Sequence, residues 1–478
     1  MSFADTPTML IKNACIDGQA VDLRIDHNVQ AMARHLEVAP NETVLDARGG
    51  ELLPGLHDHH IHLFAAAAAH DSVDCNVGSG TLSQCRALLE ARLKRATGND
   101  WIRGVDYQEQ QVGELDRWIL DELCPTRPVR IQHRSGKVWV CNSLALRELG
   151  FKDTELIDGL ERSSRGLLTG RIVRRDRLLA ERLKHAKASR RPNITAYSRQ
   201  LARYGIVGIT DTSASNTTDT LADFQRLSDG GELLQHFSLM GSDDLDSGYL
   251  KILLDEDRLP DLANLVGRIN QARRKGRNLA FHCVTHLELV FALAALAEAA
   301  PCEAGFDRIE HGAVVNDEMA HRLADLGLPV ITQPGFLFSK GDQYLADLTR
   351  TELGSLYRFA GLQRQGVCVV ASSDAPYGLV NPWQVISSAA TRRTRLGATV
   401  GEHEQITAEQ ALTGYLTPSV RLNQISSFAQ ARTVKVGMPA DLCVLQGEWS
   451  AQRGEAGELE VRATLIGGSV VFDRTQTG

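Results

Sequence analysis

Leu53-Pro54-Gly55-Leu56-His57-Asp58-His59-His60-Ile61-His62-Leu63 decides how this chain is read. An apolar run closes on Pro54-Gly55 and then delivers histidines in alternation. On an extended strand successive side chains point to opposite faces, so Asp58, His60 and His62 share one face and His57 and His59 the other. Two imidazoles one pleat apart can reach a single ion, because zinc-like cations take neutral imidazole nitrogens at about 2.0–2.1 Å. The pair is half of a metal site. In a chain with 15 histidines, a His-x-His alone would as readily be a surface loop, and the weight comes from residues downstream.

Working outward, the 478 residues exceed one small core and suit a large α/β barrel with an appended domain. A hydrophobic content of 43% and a charged content of 23% are those of a globular protein in water. A net charge of −7 argues against nucleic acid as a bulk partner, since phosphate binding needs a basic face. The densest basic run, Arg171 to Arg191, is broken by Asp176 and Glu181 and carries Leu178, Leu179 and Leu183, the pattern of an amphipathic helix with a solvated face. Nine cysteines without a CxxC pair point to free thiols in a reducing compartment. No basic and then apolar leader opens the chain, and no apolar run has membrane-spanning length. The expectation is a cytoplasmic protein with a small-molecule substrate and neither membrane nor nucleic-acid partner.

Both ends of the chain read as short strands and turns. Met9 to Ala14 and Ala20 to Ile25 flank Asp17-Gly18, and Val436 to Leu445 and Ala463 to Phe472 have the same texture. Isolated two-stranded pieces are marginal, so one β-sandwich domain is expected from residues 1–53 plus 422–478. Between them strand-like runs recur at Trp101, Val129, Gly208, Gln235, Asn278, Asp307, Pro329 and Val367, with helical patterns such as Leu287 to Ala299 and Asp317 to Leu328. Strand-helix alternation at this length predicts an α/β chain with a (β/α)8 TIM-like barrel over 54–421. The segment 65–193 exceeds what barrel units need and is read as a cap insertion.

Barrel enzymes build their sites at the C-terminal ends of the strands. Here His60 and His62 end one apolar run, His282 a second and His311 a third, and Asp374 follows a fourth. Singly, His282 suits a hydrogen-bonded core position and Asp374 a helix N-cap before Ala375-Pro376. Together they would be costly to bury without an ion.

Pro54-Gly55 with Asp58-x-His60-x-His62, a histidine ending a later strand, Glu310-His311, Ser373-Asp374-Ala375-Pro376 and Gly437-x-Pro439-Ala440-Asp441-Leu442 resemble the amidohydrolase superfamily. The order is most similar to its family-3 branch, whose Leu-Asp-x-Leu helix and Asn-Ser turn are matched by Leu115-Asp116, Leu120-Asp121 and Asn142 to Leu146. The resemblance runs from about Leu10 to Phe472. It implies metal ligands at His60, His62, His282, His311 and Asp374, holding one or two divalent ions, zinc first and manganese, cobalt or iron as alternatives. Lys137, in Ser135-Gly136-Lys137-Val138-Trp139, falls where relatives carry a carboxylated lysine bridging two metals. An ammonium beside cations is repelled, so such a lysine must be neutral and open to carbon dioxide; an exposed lysine is the equal alternative.

The chemistry implied is hydrolysis of an amide, cyclic amide, carbamate or ester by metal-activated water. Asp374 serves as general base, and the metal or His311 polarises the carbonyl. Asp58 is read as a residue behind the ligands that fixes an imidazole tautomer, and Asp106, Tyr107, Gln333 and Phe336 as pocket residues. A mononuclear deaminase is the first alternative, weakened because His282-Cys283-Val284-Thr285 has threonine where such enzymes carry glutamate. A non-catalytic scaffold is the second. Assembly into a homo-oligomer is the family habit.

Overall fold

Eight short strands, buried at their centres and fed by amphipathic helices, form a parallel sheet that closes on itself. In chain order they are β1 (Leu56–Ile61), β2 (Ile206–Asp211), β3 (His236–Gly241), β4 (Tyr249–Leu253), β5 (Leu279–Cys283), β6 (Arg308–His311), β7 (Val330–Thr332) and β8 (Val369–Ala371). The seam between β8 and β1 is sealed just past the strand ends, where the Asp374 N–H donates to the His60 carbonyl at 2.8 Å and the His62 N–H to the Ala375 carbonyl at 2.9 Å. Every strand pairs in parallel with its neighbour. This is the expected α/β barrel, seen in a computed structural model that describes residues 8–96, 101–186, 191–301, 307–417, 431–447, 449 and 457–476.

One connection departs from strand-helix alternation. No helix separates β3 from β4, and the linker is tied down by buried Arg277, which donates to the carbonyls of Ser242 (2.8 Å), Gly248 (3.2 Å) and Tyr249 (2.9 Å). Without a helical pattern beside it, β4 does not stand out among the strand-like runs of the sequence. Two of those runs, at Trp101 and Val129, lie instead in a different sheet.

The chain divides into two compact units, Met1–Leu63 with Ile194–Gly478, and Phe64–Asn193. In the first, beside the barrel, two four-stranded sheets face each other. One holds Met9–Ile16, Gln19–Ile25, Val29–Ala33 and Thr43–Asp46; the other holds Leu52–Pro54, Leu442–Leu445, Val461–Ile466 and Ser469–Asp473. Their inner faces share one apolar core, with Ile11, Leu23, Ile25 and Leu45 against Leu442, Val444, Ala463 and Leu465. A sandwich from both termini therefore forms, and the boundary expected at 422 lies outside the described residues.

The second unit carries a six-stranded sheet, with Val73–Asp74 and Ile102–Tyr107 parallel to Val129–His133 and the rest antiparallel. Two of the residues quoted from this region are helix caps. Asp116 caps Arg117–Leu123 and Asn142 caps Ser143–Glu148, while Asp121 accepts from Ser143 N (2.9 Å) and Oγ (2.6 Å), joining the two helices. The basic run becomes the helix Asp176–His185, which buries Leu179 and Leu183. Among the described residues the eight cysteines are unpaired, and no helix is long and apolar enough to cross a membrane.

Candidate metal centre

The ends of β1, β5 and β6 and the turn after β8 bring five side chains together. Asp374 Oδ1 lies 3.4 Å from His60 Nε2 and 3.4 Å from His62 Nε2, and Asp374 Oδ2 lies 4.0 Å from His311 Nδ1. One ligating atom from each of His60, His311 and Asp374 falls within 4.8 Å of the others. His282 joins through its Nδ1, 2.9 Å from His311 Nε2. Each expected ligand from the barrel thus stands in one cluster, and His60, His311 and Asp374 are buried.

In three of the imidazoles the Nδ1 atom already has a side-chain partner. His60 Nδ1 meets Glu310 Oε2 at 2.5 Å, His62 Nδ1 meets Ser213 Oγ at 2.8 Å and His311 Nδ1 meets Gln333 Oε1 at 2.7 Å. Gln333 donates its own amide to the Ile331 carbonyl (3.2 Å) and Ser372 Oγ (3.0 Å), so its oxygen faces His311 and accepts the Nδ1 proton. His311 Nε2 is then a lone pair. A partner on one ring nitrogen that leaves the other as a lone pair is the arrangement metal-ligating histidines show.

Asp374 Oδ1, buried, has no aligned hydrogen bond although two imidazole nitrogens stand 3.4 Å away. Buried polar atoms left unmatched are costly, and a cation among these donors would satisfy them. The donor set, nitrogen and carboxylate oxygen, suits zinc and its first-row neighbours. Backbone geometry is forced here too. His311 (φ 69°) and Asp374 (φ 52°) occupy the left-handed region, a cost of about 1–3 kcal/mol each that is concentrated at functional sites.

Charge is distributed to match. Burial raises the Asp374 carboxyl, but His60, His62 and His311 outweigh it and hold Asp374 well below the usual range. Burial, then Lys251, lowers His282 to about 4, and burial with His282 and His60 holds His311 well below its ordinary value. Both are therefore neutral imidazoles, the form that binds metal.

Several expected roles change. Lys137 is exposed at the head of the strand Val138–Cys141 of the second unit. Among the described residues the buried lysine of the barrel is Lys251 on β4, 3% exposed, with Nζ lacking a hydrogen-bond partner. Burial lowers it to about 8. Asp58 Oδ1 accepts from the backbone N–H of His60 (3.3 Å) and Ser373 (3.2 Å), and the carboxylate that stands against His60 Nδ1 is that of Glu310. Tyr107 is a core residue of the second unit, its hydroxyl donating to the Gly113 carbonyl and accepting from Leu115 N. Asp106 accepts from Asn76 Nδ2 at 2.8 Å in the same unit. Phe336 is buried against Tyr357, and Gln333 orients His311 rather than lining a pocket. Sequence reasoning gave Glu310, Ser213 and Lys251 no role; a carboxylate next to a strand-end histidine was the one available signal.

This constellation at the mouth of a closed parallel barrel agrees with a match to the family model described as the amidohydrolase family, in its third branch, over residues 43–472. The chain belongs to the amidohydrolase family. This amidohydrolase is 26% identical to the N-substituted formamide deformylase of Arthrobacter pascens, with 91% of each chain covered. Among solved structures it resembles an uncharacterized metal-dependent hydrolase of Pyrococcus horikoshii OT3 (TM-score 0.68, 18% identity, 95% of this chain and 99% of that one). It also resembles the N-isopropylammelide isopropylaminohydrolase of Burkholderia multivorans ATCC 17616 (TM-score 0.53, 16% identity, 97% and 98%). At these identities the structural likenesses speak for the fold. Family and centre together make the protein a metal-dependent hydrolase.

Proposed function

We propose that this amidohydrolase cleaves the C–N bond of a small, non-peptide amide, and that an N-substituted formamide is the first substrate class to try. The observation that carries the reading is the cluster of His60, His62, His282, His311 and Asp374 with its unmatched Oδ1. The formamide class is suggested by the deformylase relative, similar over 91% of both chains. His60, His62, His282, His311 and Asp374 would hold one or two divalent ions, zinc first. Such an ion supplies a polarised carbonyl and a water whose pKa falls toward 7.

Asp374 then acts as general base. It is ionised, and its Oδ1 is free to take the proton of the attacking water and return it to the leaving nitrogen. His311, donating through Nδ1 to Gln333, has no proton on Nε2 to offer a carbonyl, so its part is that of a ligand. For a two-ion centre the lysine that would supply a carbamate is Lys251. Its burial and unpartnered Nζ support the assignment, since a neutral amine adds carbon dioxide and releases a proton, leaving a carbamate with two oxygens. Lys137, exposed, lacks the low-polarity setting that keeps an amine neutral.

The test is a screen of zinc-loaded protein against N-substituted formamides, N-acyl amino acids, hydantoins, carbamates and lactones, with heterocyclic amines as the deaminase arm. Formate release from a formamide is the expected result. Ammonia release from a heterocycle alone would turn the reading to deamination, and absence of bound metal after supplementation would turn it to a scaffold.

A further inference from the structure

Behind His60 lies a buried charge pair for which hydrolysis itself has no use. Glu310, fully buried, puts Oε2 2.5 Å from His60 Nδ1 and Oε1 2.5 Å from Arg308 Nε. Arg308, equally buried, donates through Nη2 to the His59 carbonyl at 2.8 Å, and its guanidinium stands 5.4 Å from the centroid of the Tyr249 ring. Both oxygens of the carboxylate are thereby engaged, and it cannot turn. Of the three imidazoles held from behind, His62 meets a hydroxyl and His311 an amide; only His60 faces a carboxylate.

An ionised carboxylate accepts and never donates, so the proton of this contact belongs to His60 Nδ1. With the ring fixed that way, Nε2 is the atom turned toward Asp374, 3.4 Å away. We propose that Glu310, anchored by Arg308, is a positioning residue of the metal centre: it fixes His60 as the Nδ1–H tautomer and aims the Nε2 lone pair at the ion. The proposal rests on the reading of His60 as a ligand. It differs from a purely structural role, in which Glu310 serves only to neutralise Arg308 and Lys251 in the barrel interior, because it requires an effect on metal affinity that survives removal of the buried charge.

The experiment uses the full chain, with zinc affinity measured by chelator competition, thermal melting, and 15N spectra of histidine-labelled protein in which His60 is assigned by its loss in His60→Gln. Glu310→Gln strands Arg308, so it should both melt earlier and bind zinc less tightly. The double variant Glu310→Leu/Arg308→Met removes both charges and the acceptor that faces His60 Nδ1. It should melt near the parent yet still bind zinc about 10- to 100-fold more weakly. The zinc-loaded parent should show His60 protonated at Nδ1. A double variant that binds zinc within about threefold of the parent overturns the proposal, as does a parent whose His60 carries its proton on Nε2; if neither variant folds, the parent spectrum decides alone. A parent that takes up no zinc overturns the hydrolase reading instead, before any variant is compared.

Discussion

Asp374 concentrates the chemistry of the site in one side chain. It is ionised against burial, bent into the left-handed region and flanked by two imidazoles without a hydrogen bond to either. Asp374→Asn keeps shape and removes the basic oxygen, so turnover should fall at least about 100-fold with the melting curve little changed. Activity within tenfold of the parent would remove Asp374 from the base role. The two lysines give a paired test. Lys251→Ala should lose bound metal and regain part of it with added short-chain carboxylic acids, whereas Lys137→Ala should leave metal content untouched. The reverse pattern in metal analysis would restore Lys137. At this scale the clustered residues are legible because a histidine or aspartate ending an apolar run is an anomaly in one dimension. Lys251 was not legible, since its significance is its burial, and no string of letters carries the surroundings of an Nζ.

Elements explain what single letters could not. Thr285, the threonine standing where deaminases carry glutamate, is the N-cap of the helix His286–Glu298, and Glu288 completes a capping box while also accepting from Val284 N at 2.7 Å. Thr285→Ala should cost about 1 kcal/mol in denaturant unfolding without changing the bond that is cleaved. A change of reaction rather than stability would mean the residue reaches substrate. On β2, a Cβ at Gly208 would lie 2.5 Å from His57 Nδ1. Gly208→Ala should therefore destabilise by about 1–3 kcal/mol through displacement of β1, the strand that carries His60. The missed strand β4 belongs here as well. Alternation of strand and helix was the signal, and the β3–β4 linker replaces its helix with three hydrogen bonds from Arg277.

For the whole molecule the sandwich and the foot of the barrel are joined by His236 and Asp441, with Nε2 and Oδ2 3.1 Å apart. The hydrogen bond to Asp441 raises His236 above its ordinary 6.5. Burial raises Asp441, but His236, the Gly467 N–H and Arg432 hold it below its ordinary 3.8. A raised histidine lends stability below its unfolded pKa and loses it as pH climbs through the folded value; a depressed aspartate lends stability above 3.8 and loses it in more acid solution. The pair therefore supports the fold between those limits. His236→Ala should lower the melting temperature by about 1 °C near pH 5.5 and not at pH 8.5, the small size reflecting solvent screening. Equal losses at both pH values in a scanning calorimeter would assign the effect to packing. Metal should act over the same molecule by mass action: zinc at a thousandfold its dissociation constant stabilises by about 4 kcal/mol, so chelation should lower the unfolding temperature. By itself the sequence determined the barrel class, the two-ended sandwich and the five residues that gather at the strand ends, because hydrophobic periodicity and a polar residue at the close of an apolar run are local facts. Only the tertiary structure decided which lysine is buried, which carboxylate stands behind His60 and that Tyr107 and Phe336 are core, because each depends on neighbours tens to hundreds of residues away that meet when the sheet closes.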